Sequence, residues 1–170
     1  MKRNVCIALL LCVLFSLSAC ANEKDTTAFY YRRARFAYGT AAEDSVISSE
    51  KRNITGHSDE LSYLISLYLA GPLDESLIAP FPQDIRLLRA YQSNSLLYIE
   101  LSDVGDAFGS AQYSLACACL SLTCMEFTTA QEVNVVSGDR SVTMSREDLT
   151  LFDDITENTY APEDSMEVSK

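Results

Sequence analysis

The chain of 170 residues has one histidine, His57, and only six glycines, and each scarcity removes a class of mechanism. One imidazole cannot supply a histidine pair or a His-rich metal site. The glycines are too scattered for a phosphate-cradling loop, and neither G-x-G-x-x-G nor G-x-x-x-x-G-K-[ST] occurs. Basic residues are scarce too. Thirteen Lys and Arg stand against 24 Asp and Glu, giving a net charge of −11, a sign that repels phosphate backbones and argues against nucleic-acid binding. What is plentiful is core material: 48% apolar and 22% charged residues describe a globular chain, and the length suits one domain. The composition argues against an enzyme, with no catalytic, cofactor-binding or metal-ligating set to name.

Lys2 and Arg3 precede an apolar run from Val5 to Phe15 and then small residues, the charge, hydrophobic and cleavage order of a secretory signal. The run is shorter than the ~20 residues that span a bilayer. It ends in Leu17-Ser18-Ala19-Cys20, which resembles the lipobox of bacterial lipoproteins. That resemblance implies that residues 1–19 are a signal peptide and that Cys20 is lipidated and becomes the new N-terminus. The protein is then expected to be exported and anchored to the outer face of the cell membrane. Two or three acyl chains, at about 0.8 kcal/mol per buried CH₂, hold such a domain stably. Thirteen basic residues less Lys2 and Arg3 leave 11 against 24 acidic, a mature charge of −13 that pushes the domain away from an anionic leaflet. Arg32, Arg33 and Arg35 are the exception, either as head-group contacts or as the exposed face of a strand.

Cys6 and Cys12 leave with the signal and Cys20 is consumed, so the folded part keeps Cys117, Cys119 and Cys124. Three is an odd number for staples. If the segment is helical, Cys117 and Cys119 point about 200° apart, and Cys117 and Cys124 lie about 10 Å apart along the axis, beyond bridging reach. Neither C-x-x-C spacing nor added histidines point to zinc. These cysteines are expected to be small buried hydrophobes in a crowded helix.

Along the rest of the chain, residues 20–27 form a polar tether. Ala28 to Tyr38 is rich in β-formers and predicts a strand, Gly39 to Asp44 a turn, and Ser45 to Ile54 a more polar strand returning along an edge. Leu61, Leu64, Ile65, Tyr68 and Leu69 follow the spacing of one buried helical face, with Ser58 as the expected N-cap, Asp59 and Glu60 in the first turn, and Gly71-Pro72 as the stop. After a loop punctuated by Pro72, Pro80 and Pro82, Asp84 to Tyr91 and Ser95 to Ser102 predict a hairpin turning at Gln92-Ser93-Asn94. Leu97, Ile99 and Leu101 share one side of its second strand. Asp103, Asp106 or Ser110 is the expected cap of a second helix, Ala111 to Met125, apolar almost all round. Gln131 to Ser137 and Ser141 to Met144 predict strands about Gly138-Asp139-Arg140. From Glu147 onward eight carboxylates face one lysine, so residues 146–170 are expected to be an acidic, largely disordered tail. The order β(β)αββαβ predicts an α+β fold with two helices on one face of a mixed or antiparallel sheet.

With these segments placed, the chain resembles the GerM domain of sporulation and germination proteins. The resemblance rests on Phe29-Tyr30-Tyr31, on Arg52, and on the helix ending Leu67-Tyr68-Leu69-Ala70-Gly71-Pro72. It continues through Pro80-Phe81-Pro82, the strand from Leu97 to Ser102, the Ala/Leu-rich helix and the valine strand closing at Gly138. It assigns residues 28–145 to one such domain. It implies an envelope lipoprotein, a fold similar to ring-building motifs, and no catalytic residues or cofactors. The expected partners are the membrane, through the anchor, and an envelope or sporulation protein or a second copy, docked by strand addition at a sheet edge such as Ala28 to Tyr38. Two other readings stand beside this one. A cell-wall glycan or small-ligand binder would use some of the nine tyrosines as stacking surfaces, and an envelope hydrolase would use Asp103 with Asp106 as acids and His57 as base.

Overall fold

The computed structural model describes residues 26–34 and 46–149. Strand β1 (Thr26–Arg33) lies between β2 (Ile47–Asn53) and the two-residue β3 (Leu77–Ile78), both antiparallel to it. A second sheet runs in the order β4 (Leu87–Ser93), β5 (Leu96–Leu101), β6 (Glu132–Ser137), β7 (Arg140–Ser145). Helix α1 (Leu61–Leu69) joins β2 to β3, and α2 (Ser110–Phe127) joins β5 to β6. β5 and β6 are parallel, which needs a crossover, and α2 is that crossover. The fold is α+β, as the residue pattern implies, but the single expected sheet is two ladders. β3 is the element that escaped the pattern, because two residues carry no periodicity.

Helix α1 buries Leu64, Ile65 and Tyr68 against β4 and the rings of β1, where Tyr31 stacks on Tyr68 at 4.9 Å between centroids. Each large side chain so buried contributes roughly 1.5 to 3 kcal/mol. The helix begins two residues later than Ser58 suggests. Ser58 and Asp59 sit within a turn closed by the Glu60 amide donating to the His57 carbonyl, and Glu60 holds the N-cap position without a side-chain cap bond. The end is as expected: Gly71 takes φ +94°, open to glycine and strained for other residues.

Helix α2 packs on β1 of one sheet and on β6 and β7 of the other, which explains why Ala116 to Ser121 and Thr123 to Met125 are all buried. Its N-cap is Gly109, whose amide donates to Gln112 Oε1 at 3.2 Å, and not Asp103, Asp106 or Ser110. Asp103 instead accepts from the Gly105 amide at 2.9 Å in its own turn. Leu97, Ile99 and Leu101 are buried beside Val133 and Val135. The β4–β5 turn is Asn94-Ser95, shifted from the expected Gln92-Ser93-Asn94, with Asn94 at φ 55°. Residues 146–149 form a helical turn held by Ser145 and Asp148, and Leu149 is buried. The signal peptide, Cys20, most of the tether, Arg35, the turn from Gly39 to Asp44 and the tail beyond 149 lie outside the described residues.

Candidate functional site

β1 is not an edge over its described length. β2 pairs it from Thr26 to Arg32, β3 closes its far end, and on the remaining side the Tyr30 amide donates to Thr123 Oγ1 of α2 at 2.8 Å. Strand addition there is blocked. Among the described strands, β2 borders the first sheet on one side, and β4 and β7 border the second.

β2 is the more guarded of these edges. Its residues facing the core are Ser48, Glu50 and Arg52, paired across to Tyr31, Phe29 and Thr27. Arg52 is 6% exposed, with its guanidinium 5.1 Å from the centroid of Phe29 and 5.7 Å from that of Tyr31. It donates to Glu50 at 2.6 Å through Nε, and to the carbonyls of Leu67 at 3.2 Å and Gly71 at 2.5 Å, the orphan acceptors at the end of α1. Glu50 also accepts the amides of Leu73 and Asp74. Burial pushes the Glu50 carboxyl up, but the two amides and Arg52 outweigh it and hold the group below its ordinary range. Every donor in this cluster ends on a protein group, so its role is to lock β2 to α1.

β4, like β7, is an edge strand of the second sheet. Its outward side chains pair across to those of β5, Tyr91 with Tyr98 and Arg89 with Glu100, and the rows continue to Asn134 with Thr143 and to Val136 with Ser141. The Tyr91 and Tyr98 rings stack at 5.1 Å, and Arg89 lies 5.9 and 5.5 Å from their centroids while bonding Glu100 at 2.8 Å. The hydrogen bond to Glu100 and its charge raise the Arg89 pKa further. A register shift between Leu87 and Arg89 throws Leu88 outward, leaving it 60% exposed, with Tyr91 at 47% and Leu96 at 37%. Aromatic, apolar and charged side chains are therefore exposed together on this face. The correct turn position was the missing signal: a three-residue turn at Gln92-Ser93-Asn94 sets Tyr91 opposite Ser95 and hides the tyrosine pair.

The candidates for hydrolysis do not assemble. His57 stacks on Tyr63 at 4.1 Å and meets Glu60 at 3.2 Å, Asp103 serves its turn, and Asp106 is exposed in the loop before α2. Among the described residues no group of three His, Cys, Asp or Glu side chains is placed to hold a metal ion, and no helix is long and apolar enough to cross a membrane. Cys117, Cys119 and Cys124 are unbridged and buried, in keeping with their reading as core residues. Burial pushes the Cys117 and Cys119 thiols up to about 12 and raises Cys124 as well. Arg32 and Arg33 lie half-buried in β1 and are not the fully exposed strand face considered for them.

Residues 29–143 match a family model, Germane, described as sporulation and spore germination. Two solved structures are similar. One is a candidate lipoprotein of Clostridium perfringens, at 19% identity and TM-score 0.44, covering 72% of this chain and 88% of that one. The other is the tandem GerMN domains of the sporulation protein GerM from Bacillus subtilis, at 17% identity and TM-score 0.46, covering 72% of this chain and 42% of that one, so this chain matches less than half of the tandem chain. No curated protein matches.

Proposed function

Because the chain belongs to the Germane family of sporulation and spore germination, we propose that it is a non-catalytic interaction module, lipid-anchored on the outer face of the cell membrane through Cys20. The observation that carries the interaction role is the β4 edge, where Leu88 and Tyr91 are exposed beside Arg89, with Leu96 of β5 exposed next to them. Large apolar side chains grouped on a free strand edge cost solubility and mark partner surfaces. Tyr and Arg are the residues that most often dominate binding energy at such surfaces. The anchor rests on the Leu17-Ser18-Ala19-Cys20 sequence and brings the domain to the membrane, where its strong negative charge keeps it off the lipid.

The test has two arms. Cys20→Ser moves the protein out of the membrane fraction, and unchanged fractionation removes the anchor. A photo-crosslinking residue at position 91 in intact cells gives a discrete adduct that Leu96→Asp abolishes at equal protein level. No adduct, or one indifferent to Leu96→Asp, removes the interaction surface. The stacked Tyr91 and Tyr98 also favour a second reading, a cell-wall glycan platform. In that case peptidoglycan fragments raise the melting temperature of the wild type but not of Tyr91→Ala.

A further inference from the structure

A second site lies away from the open sheet face, where three distant segments meet at Arg32. Its backbone pairs with Ile47 and Ile78, and its side chain enters a cleft of about 190 Å³. Pro80 and Pro82 wall the cleft on one side, with Phe81 buried between them, and Phe108, Gln112 and Leu115 wall it from the start of α2. The Nε of Arg32 is buried without a hydrogen-bond partner, and no carboxylate among the described residues pairs with the guanidinium. Cys119 is close enough to feel the Arg32 charge but, with its thiol pushed up to about 12, stays neutral and leaves that charge uncompensated. A half-buried guanidinium with its Nε enclosed and no carboxylate beside it is placed to take an anion that enters the cleft from outside.

The surroundings define the anion. A guanidinium fork matches the two oxygens of a carboxylate. Gln112 spends its Oε1 on the Gly109 amide, which leaves Nε2 as a donor at the rim. Two donor groups suit a carboxylate and fall short of what the oxygens of a phosphate require. The remaining walls are proline, phenylalanine and leucine, so the body attached to the carboxylate is apolar. The cleft is smaller than the roughly 300 to 1,000 Å³ of small-molecule pockets, which suits the last residue of a chain. We propose that the Arg32 cleft captures the free α-carboxylate of a peptide whose terminal residue is small and apolar.

The test uses the full chain in detergent, with N-acetyl-Ala-Ala as the probe and its C-terminal amide as the control, followed by calorimetry. The acid is expected to bind at least tenfold more tightly than the amide. Arg32→Gln is expected to erase that preference. Gln112→Glu, at an exposed position where it still offers an oxygen to Gly109, places a second carboxylate at the rim and is expected to weaken the acid at least tenfold with an unchanged circular dichroism spectrum. Equal binding of acid and amide, or tight acid binding to both variants, overturns the proposal. So does acetate or inorganic phosphate binding as tightly as the peptide.

Discussion

Replacing Arg52 by methionine tests whether the buried ion pair locks β2 to α1. The substitution keeps an apolar stem against Phe29 and Tyr31 but removes every donor. Glu50, with its side chain 10% exposed, then keeps only the amides of Leu73 and Asp74, and the carbonyls of Leu67 and Gly71 lose their partner. Removing one member of a buried pair costs about 3 to 5 kcal/mol, because the remaining charge is left uncompensated. Against a total stability of about 5 to 15 kcal/mol this is a large fraction, equivalent to a melting temperature lower by on the order of 10 to 20 °C. Arg52→Lys keeps the charge but not the fork, and an intermediate loss of about 2 kcal/mol is expected. Glu50→Gln together with Arg52→Met should be less damaging than the sum of the two, with a coupling of about 1.5 to 3 kcal/mol. Urea unfolding followed by far-ultraviolet circular dichroism measures all four proteins. A loss under about 1 kcal/mol for Arg52→Met, or strict additivity of the pair, refutes the lock.

Three further expectations concern the carboxylates, the thiols and one glycine. Glu50 is held below its ordinary pKa chiefly by amides and Arg52 against the opposing effect of burial, and Asp74 and Asp148 are held below theirs by Ser76 and Ser145. The unfolded state therefore binds more protons. Their contribution is present above the unfolded carboxylate values near pH 4 and is lost as pH falls through the lower folded values, which acid titration of the urea midpoint checks. At pH 8 roughly one thiol in ten thousand is ionised at Cys117 or Cys119, so maleimide should leave both, and the buried Cys124, unlabelled in the native full chain and modify all three in urea, as peptide mapping would show. Gly138 takes φ +60°, and a Cβ there would stand 3.1 Å from the Asp103 carboxylate, so Gly138→Ala should cost about 1 to 3 kcal/mol by denaturant titration, and a neutral result would mean that the turn yields.

The elements with period and punctuation were legible without coordinates. Leu64, Ile65 and Tyr68 announce α1 because helical spacing is local, and Gly71-Pro72 stops it for steric reasons any chain obeys. Leu97, Ile99 and Leu101 announce the core face of β5 in the same way. The caps were less legible. Ser58 and Asp103 have the right chemistry, but competing turns at His57–Glu60 and Asp103–Gly105 claim them. The exposed tyrosine pair and the Arg32 cleft were partly hidden, because the pair depends on a turn misplaced by a residue or two, and Arg32 is an ordinary strand residue until Pro80 and Leu115 arrive beside it.

By itself the amino-acid order determined the class of fold, the family resemblance, the buried face of α1, the nearly all-round apolar character of α2 and the excess of negative charge, which follow from composition and from the spacing and motifs along the chain. Tertiary structure decided which strand is closed and which is open, that Glu50 and Arg52 face inward, and that one arginine meets a cleft without a counter-charge. Those are matters of which distant segments become neighbours. Pairing between strands distant in the chain and the burial of a charge depend on the whole packed molecule, and no local pattern encodes them.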